Sequence, residues 1–200
     1  MKYDETFKNF KGHLEIWKIF SDGSEELYWE EDNVIVSGMG VTCAAAFSVD
    51  GNVPVSSFQA NWFQIGTGPD DATGRSGMQV SSTAALSASL DASSYGDVNV
   101  AGLLVKNDVN YMASGNVEQG PFAYVGPEFI TRVGQNKVMW RIILNDSSCN
   151  VSDPLCEIGL FSNNPLLQPS DLHYLVAYRA FKLIHKSSDF SLDFRWTIEF

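Results

Sequence analysis

The stretch SDFSLDFRWTIEF, residues 188–200, constrains the fold more than any other part of the chain. From Phe190 onward every second side chain is apolar: Phe190, Leu192, Phe194, Trp196, Ile198 and Phe200. Ser191, Asp193, Arg195, Thr197 and Glu199 alternate with them. Successive side chains of a β-strand point to opposite faces, so this segment has one apolar and one polar face. Eleven residues at ~3.3 Å each make a long strand of about 36 Å. Its aromatic face needs a facing sheet or another subunit to cover it. A strand of this kind is expected to pair centrally in a β core. A lipid-facing barrel strand has the same pattern, but it requires many similar strands at short spacing, which the rest of the sequence does not supply.

Other segments repeat the theme. HLEIWKIF (13–20) and EELYWEE (25–31) flank SDGS, and Asp-Gly between strand-like runs is a hairpin signal. Asn33–Val36 reads as a further short strand. Met39–Phe47, rich in alanine, reads as a helix near 38–48 with Ser37 as its N-cap. NWFQIG reads as a buried strand ending in a glycine-rich turn. KVMWRIIL (137–144), LCEIGLF (155–161), YLVAYRAFKLI (174–184) and FSLDFRWTIEF (190–200) read as four more strands. Pro154, Pro165 and Pro169 fall in the loops, where a missing N–H is harmless. The section 78–136 reads as irregular, with short β-type runs such as VNVAGLLV and FAYVG. Strands at this spacing with one helix predict a mainly β protein, an antiparallel β-sandwich of jelly-roll type. With no fixed-period repeat and no linker, residues 1–200 are expected to form one domain, with an N-terminal arm at 1–11.

The 24 acidic and 13 basic side chains give a net charge of −11, and nine of the acids lie within the first 32 residues. Such a field repels phosphate, so no nucleic-acid or anionic-membrane partner is expected. No basic stripe carries interleaved aromatics. No apolar run is long enough for a membrane-spanning helix. Cys43 reads as a buried thiol, whereas Cys149 and Cys156 frame CNVSDPLC and could bridge if their geometry allowed. An odd cysteine count without a signal peptide favours reduced thiols made in a cytosol. The sequons at Asn145 and Asn150 matter only in a secretory protein.

The motifs point away from catalysis. IGTGPDDATGRSG holds Gly66, Gly68, Gly74 and Gly77, but no Gly-Lys-Ser/Thr follows, and the dinucleotide spacing is missing. Asp70 and Asp71 lack the alternating acids and terminal glutamate of a calcium loop. His13, His173 and His185 have no second histidine or cysteine at ligand spacing, so no zinc site is expected. No Gly-x-Ser-x-Gly elbow occurs. With 24 acids some carboxylate pair always fits glycoside hydrolysis, so that signal has no specificity. Trp17, Trp29, Trp62, Trp140 and Trp196 sit in strand-like runs and are read as core or interface residues rather than sugar platforms. No catalytic, cofactor or metal residue is assigned.

Five stretches in order are GHLEIWKIFSDG, NVIVSGMG, FQIGTG, CEIGLF and LVAYRAF…IHKSSDFSLDFRWTIEF. Together they resemble tailed-bacteriophage virion structural proteins, most closely those of phages infecting cyanobacteria. Tyr178 between Ala177 and Arg179, and the longer loop SNNPLLQPSDLH, depart from that pattern. The resemblance implies a non-enzymatic homo-oligomer, assembled in the host cytoplasm into the virion and in contact with other virion proteins. A tail or neck position (fibre, collar or baseplate accessory) is expected. A capsid decoration protein, or a carbohydrate-binding module that touches a host surface glycan, stands as an alternative.

Overall fold

The computed structural model describes residues 10–47, 58–67, 86, 90, 103–106, 111–113, 117–119, 122–163 and 173–200. The chain is mainly antiparallel β, with one α-helix among the described residues. In order it forms β1 (Lys11–Phe20), β2 (Glu25–Ile35), α1 (Ser37–Phe47), β3 (Trp62–Gly66) and β4 (Leu103–Lys106). Next come β5 (Tyr111–Ala113), β6 (Val117–Gln119), β7 (Phe122–Val125), a 3-10 turn (Pro127–Phe129) and β8 (Ile130–Arg132). The last four strands are β9 (Lys137–Leu144), β10 (Leu155–Asn163), β11 (His173–Ile184) and β12 (Phe190–Glu199). The section read as irregular thus carries five short strands, β4 to β8, among its described residues. Ser37 opens the helix from inside its first turn rather than capping it from outside. The glycine-rich stretch after Thr67, which holds Gly68, Asp70, Asp71, Gly74 and Gly77, lies outside the described residues, as does the arm before Phe10.

Ten strands share one sheet in the order β4-β7-β3-β10-β11-β2-β1-β12-β9-β8, and β5 and β6 pair separately. The long alternating segment is central, with β12 pairing β1 from Phe190 to Glu199 and β9 from Leu192 to Glu199. Its apolar face meets like with like. Leu14, Trp196, Trp140 and Ile130 align across four strands, and Ile16, Phe194 and Ile142 form the next row. Phe194 and Trp196 are fully buried, and each contributes roughly 2–3 kcal/mol by leaving water.

The sheet curls until it nearly closes, like a barrel. β7 lies one strand from one edge and β8 is the other edge, yet residues 126–129 suffice to join them. Such a connection spans at most about 17 Å, so the two ends of the sheet must approach each other. The curl pivots on β2. Of its first nine residues all but Tyr28 pair with β1, while Val34 and Ile35 pair with Tyr178 and Ala177 of β11. Those two residue pairs are the seam between the halves of the sheet. Beside it Arg179 pairs with Glu31 and lies over the Trp29 ring at 5.2 Å. Trp29 in turn packs on Phe181, and Phe181 on Phe194, which carries the core across the seam.

The β1–β2 hairpin forms where Asp-Gly predicts it. Gly23 adopts φ 83°, which suits a residue without a Cβ, and the Asp22 carboxylate accepts from the Ser24 N–H and hydroxyl. One bulge sets its register: Ile16 faces Trp29 but Trp17 faces Leu27, so Tyr28 is extra. The Tyr28 hydroxyl donates to the Leu183 carbonyl. Beyond the bulge the β2 side chains exchange faces. Trp29 and Glu31 turn toward the core and the seam, and Glu30 and Asp32 turn out beside Glu15 and His13.

The half of the sheet containing β3, β10 and β11 is buried on both faces. Phe63, Ile65, Ile158 and Leu160 fill the shared core, while Phe161, Leu175, Tyr178 and Leu86 pack on the opposite face. There the Tyr178 hydroxyl donates to Glu157. Burial, together with the adjoining Glu157 carboxylate, pushes the Tyr178 phenol well up. Helix α1 lies over β11, where Gly38 meets the Leu175 carbonyl so closely that a Cβ would stand 2.0 Å from its oxygen. Thr42 and Ser162 share a buried hydrogen bond beneath the helix. At eleven residues α1 is too short to cross a bilayer, and no helix among the described residues is long and apolar enough to do so.

Candidate functional site

An apolar opening lies where α1 overhangs the end of the sheet. It is a cavity of about 680 Å³ lined by Met39, Cys43 and Phe47 of the helix, by Phe58 and Ala60 ahead of β3, and by Trp140 of β9. Phe10 and Phe200 close one side, with their rings edge to face at 5.6 Å. The volume falls within the range of small-molecule and side-chain binding clefts. Seven separated stretches build it, tied together by hydrogen bonds to backbone carbonyls. The Trp140 indole N–H donates to the Ala60 carbonyl, and the Phe200 N–H donates to the Asn136 carbonyl. Phe47, the last residue of α1, is 87% exposed, and Phe200 is 44% exposed. Val41, six residues earlier on the helix, is also exposed.

No described residue of this lining has a charged side chain or a histidine. Burial raises the Cys43 thiol above its ordinary range, which lowers its thiolate fraction and so its reactivity. The described lining therefore offers apolar contact and holds no acid–base pair.

The outer face of the central strands has the opposite chemistry. In one row Glu30, Glu15, Arg195 and Arg141 stand side by side on β2, β1, β12 and β9. Asp193, on the same polar face, is fully buried. Arg141 donates to its carboxylate at 2.9–3.1 Å, and Arg195 at 3.0 Å. Arg195 also reaches Glu25 at 3.1 Å and covers the Trp17 ring at 4.7 Å. The Trp17 N–H donates to Glu15 at 2.8 Å.

His13 lies 3.1 Å from Asp32 and 3.7 Å from Glu30. His13, Glu15 and Glu30 hold potential ligand atoms within 4.8 Å of one another. Sequence spacing missed this group because cross-strand pairing, with the Tyr28 bulge, brings it together. It stands on an open sheet face, with Glu30 exposed and His13 and Glu15 half-buried. His185 is exposed just past β11, and His173 opens β11 with a side chain outside the described residues.

All three cysteines are thiols. Cys149 is buried with φ 55°, and burial pushes it up to about 12. Next to it Lys186 is buried, with all three of its protons used: it donates to the Asp146 and Ser187 carbonyls and to Asn150 Oδ1. Of the five tryptophans, Trp140 and Trp196 are buried, and Trp17, Trp29 and Trp62 are half-buried. Arginine covers Trp17 and Trp29, and Trp62 packs against Tyr124 at 5.1 Å.

Compared with protein-family models, curated proteins and solved structures, the chain finds no match.

Proposed function

We propose that the protein is a non-enzymatic structural component of a tailed-phage particle, associated with the tail or neck and working through protein–protein contacts. One observation carries the reading: a cavity whose described lining has no charged side chain, rimmed by the exposed Phe47 and Phe200, in a chain of net charge −11. Exposed apolar patches of this kind mark surfaces that are buried in an assembly. Acidic charge elsewhere keeps the free subunit soluble until then. The resemblance of the five ordered motifs to virion structural proteins points the same way. In this reading the two halves of the curled sheet act as the layers of a sandwich of jelly-roll type, joined at the β2 seam.

A sugar-binding module fits less well, because such sites need open aromatic faces. Trp17 and Trp29 lie under arginines, and none of the five tryptophans is exposed. The test is peptide mass spectrometry on density-purified particles, combined with antibody labelling in electron micrographs. Labelling at the tail or neck at low copy number is expected. Labelling over the whole shell would make it a decoration protein, and absence from particles would end the reading.

A further inference from the structure

On the outer face of β1 and β2, strand pairing sets Glu15 directly opposite Glu30 and His13 opposite Asp32. Like charges directly opposite each other destabilise a strand pair. The neighbouring cation does not relieve them. Arg195 is the partner of Glu15 on β12, but its guanidinium goes to Asp193 and Glu25 instead. Among the described residues no lysine or arginine pairs with Glu15, Glu30 or Asp32, so three carboxylates share a single imidazole.

That imidazole is held so that Nε2 is its binding atom. Asp32 lies 3.1 Å from Nδ1, and a carboxylate only accepts, so Nδ1 carries the proton. The Nε2 lone pair then faces Glu30. The Glu30 oxygen stands 3.7 Å away, too far for a hydrogen bond. An imidazolium serving only as an ion pair would draw it in to about 2.8 Å. Two donors that share one ion at about 2.0–2.2 Å stand roughly 3.0–3.6 Å apart, which is close to what is seen. Glu15 supplies a third donor, all three atoms lying within 4.8 Å of one another. The Trp17 N–H fixes one Glu15 oxygen at 2.8 Å. A carboxylate behind the imidazole and an N–H behind the carboxylate are the outer supports that orient metal ligands.

We propose that His13 Nε2, Glu15 and Glu30 bind one divalent first-row transition ion, of which zinc is the type, with Asp32 and Trp17 as positioning residues. One imidazole nitrogen with two carboxylates suits zinc, cobalt or nickel, whereas magnesium and calcium prefer a shell of oxygen alone. Three protein donors on an open face leave the remaining positions to water. The ion ties β1 to β2 just past the Tyr28 bulge and offsets the Glu15–Glu30 repulsion. The site goes beyond the assembly reading and does not depend on it.

The experiment is calorimetric titration of the full, chelator-stripped chain with Zn²⁺, for wild type, His13→Gln, Glu30→Gln and Asp32→Asn. Wild type is expected to take up one ion per chain. Loss of a ligand in His13→Gln or Glu30→Gln should weaken binding by more than about 10-fold, and loss of the support in Asp32→Asn by about 10-fold. Roughly a hundredfold excess of Mg²⁺ should leave the zinc in place. The second readout needs no variant. Below one equivalent of Co²⁺, the amide signals of residues 13–15 and 30–32 should broaden before all others in the wild-type NMR spectrum. No zinc binding below roughly 100 µM, full affinity retained in His13→Gln, displacement by Mg²⁺, or cobalt broadening centred elsewhere, as at His185 or Cys43, overturns the inference. None of these outcomes bears on detection of the chain in particles, which tests the assembly reading separately.

Discussion

Replacing Asp193 by asparagine tests whether the polar face of β12 is a load-sharing network or ordinary solvated surface. Asp193 is fully buried between two arginines, and Arg141 and Arg195 are direct cross-strand partners. Like charges at that register repel, and the carboxylate between them turns a repulsive pair into a bridged triad. The substitution keeps the shape, removes the negative charge and aims an amide N–H₂ at two donors. Each charge-assisted bond to a buried carboxylate is worth roughly 1.5–3 kcal/mol net. The arginine side chains, 39% and 27% exposed, regain water and recover part of that. The balance is a loss of about 3 kcal/mol. For a chain of this size that lowers Tm by about 6–12 °C. Thermal melts and urea titrations of Asp193→Asn, Arg141→Met and the double variant measure it. The double variant should be less destabilised than the sum of the two singles by about 1.5 kcal/mol, because removing one arginine relieves the unbridged repulsion. An Asp193→Asn loss under about 0.5 kcal/mol, or strict additivity, would refute the reasoning.

Two further outcomes follow from single contacts. Gly38→Ala drives a methyl group against the Leu175 carbonyl, so it should lower stability by more than about 2 kcal/mol and loosen α1, visible as faster amide exchange in the helix. Cys149 titrates at about 12 when folded against 9.0 when unfolded, so the unfolded chain releases this proton first as pH rises. Its contribution is complete below pH 9 and shrinks above it, by roughly 2 kcal/mol at about pH 10.5. Cys149→Ala should lose that much less between about pH 8 and 10.5 than wild type does, and parallel curves in urea would count against it.

Much of the strand content was legible because alternation survives wherever one face is buried. β9, β11 and β12 fall within a residue or two of their apolar patterns, and Asp-Gly located the β1–β2 turn. Register was not legible, because the bulge at Tyr28 exchanges the faces of β2, and nothing in EELYWEEDNVI announces an extra residue. Asn33–Val36 read as a separate strand because the polar Asn33 interrupts the pattern. In the fold it is where β2 trades β1 for β11. Strands of three or four residues, such as β5 to β8, are too short for alternation to stand out. Asp193 looked solvated because periodicity reports which face a residue is on, and not whether two arginines cover it. The cavity had no sequence signal, since each stretch contributes only one to five unremarkable apolar residues.

The place of β12 also governs the order in which the fold can form. The β1–β2 and β8–β9 hairpins close over short loops and form on the fast timescale of local contacts. The slot between β1 and β9 stays open until a segment far along the chain arrives, with Glu199 reaching back to Lys11. Pairings of such high contact order are slow, in the range of milliseconds to seconds. Meanwhile Leu14, Ile16, Trp140 and Ile142 present an apolar trough flanked by two unpaired strand edges. That trough fits the β12 of any copy, so crowded nascent chains exchange this strand and refolding yield falls as protein concentration rises.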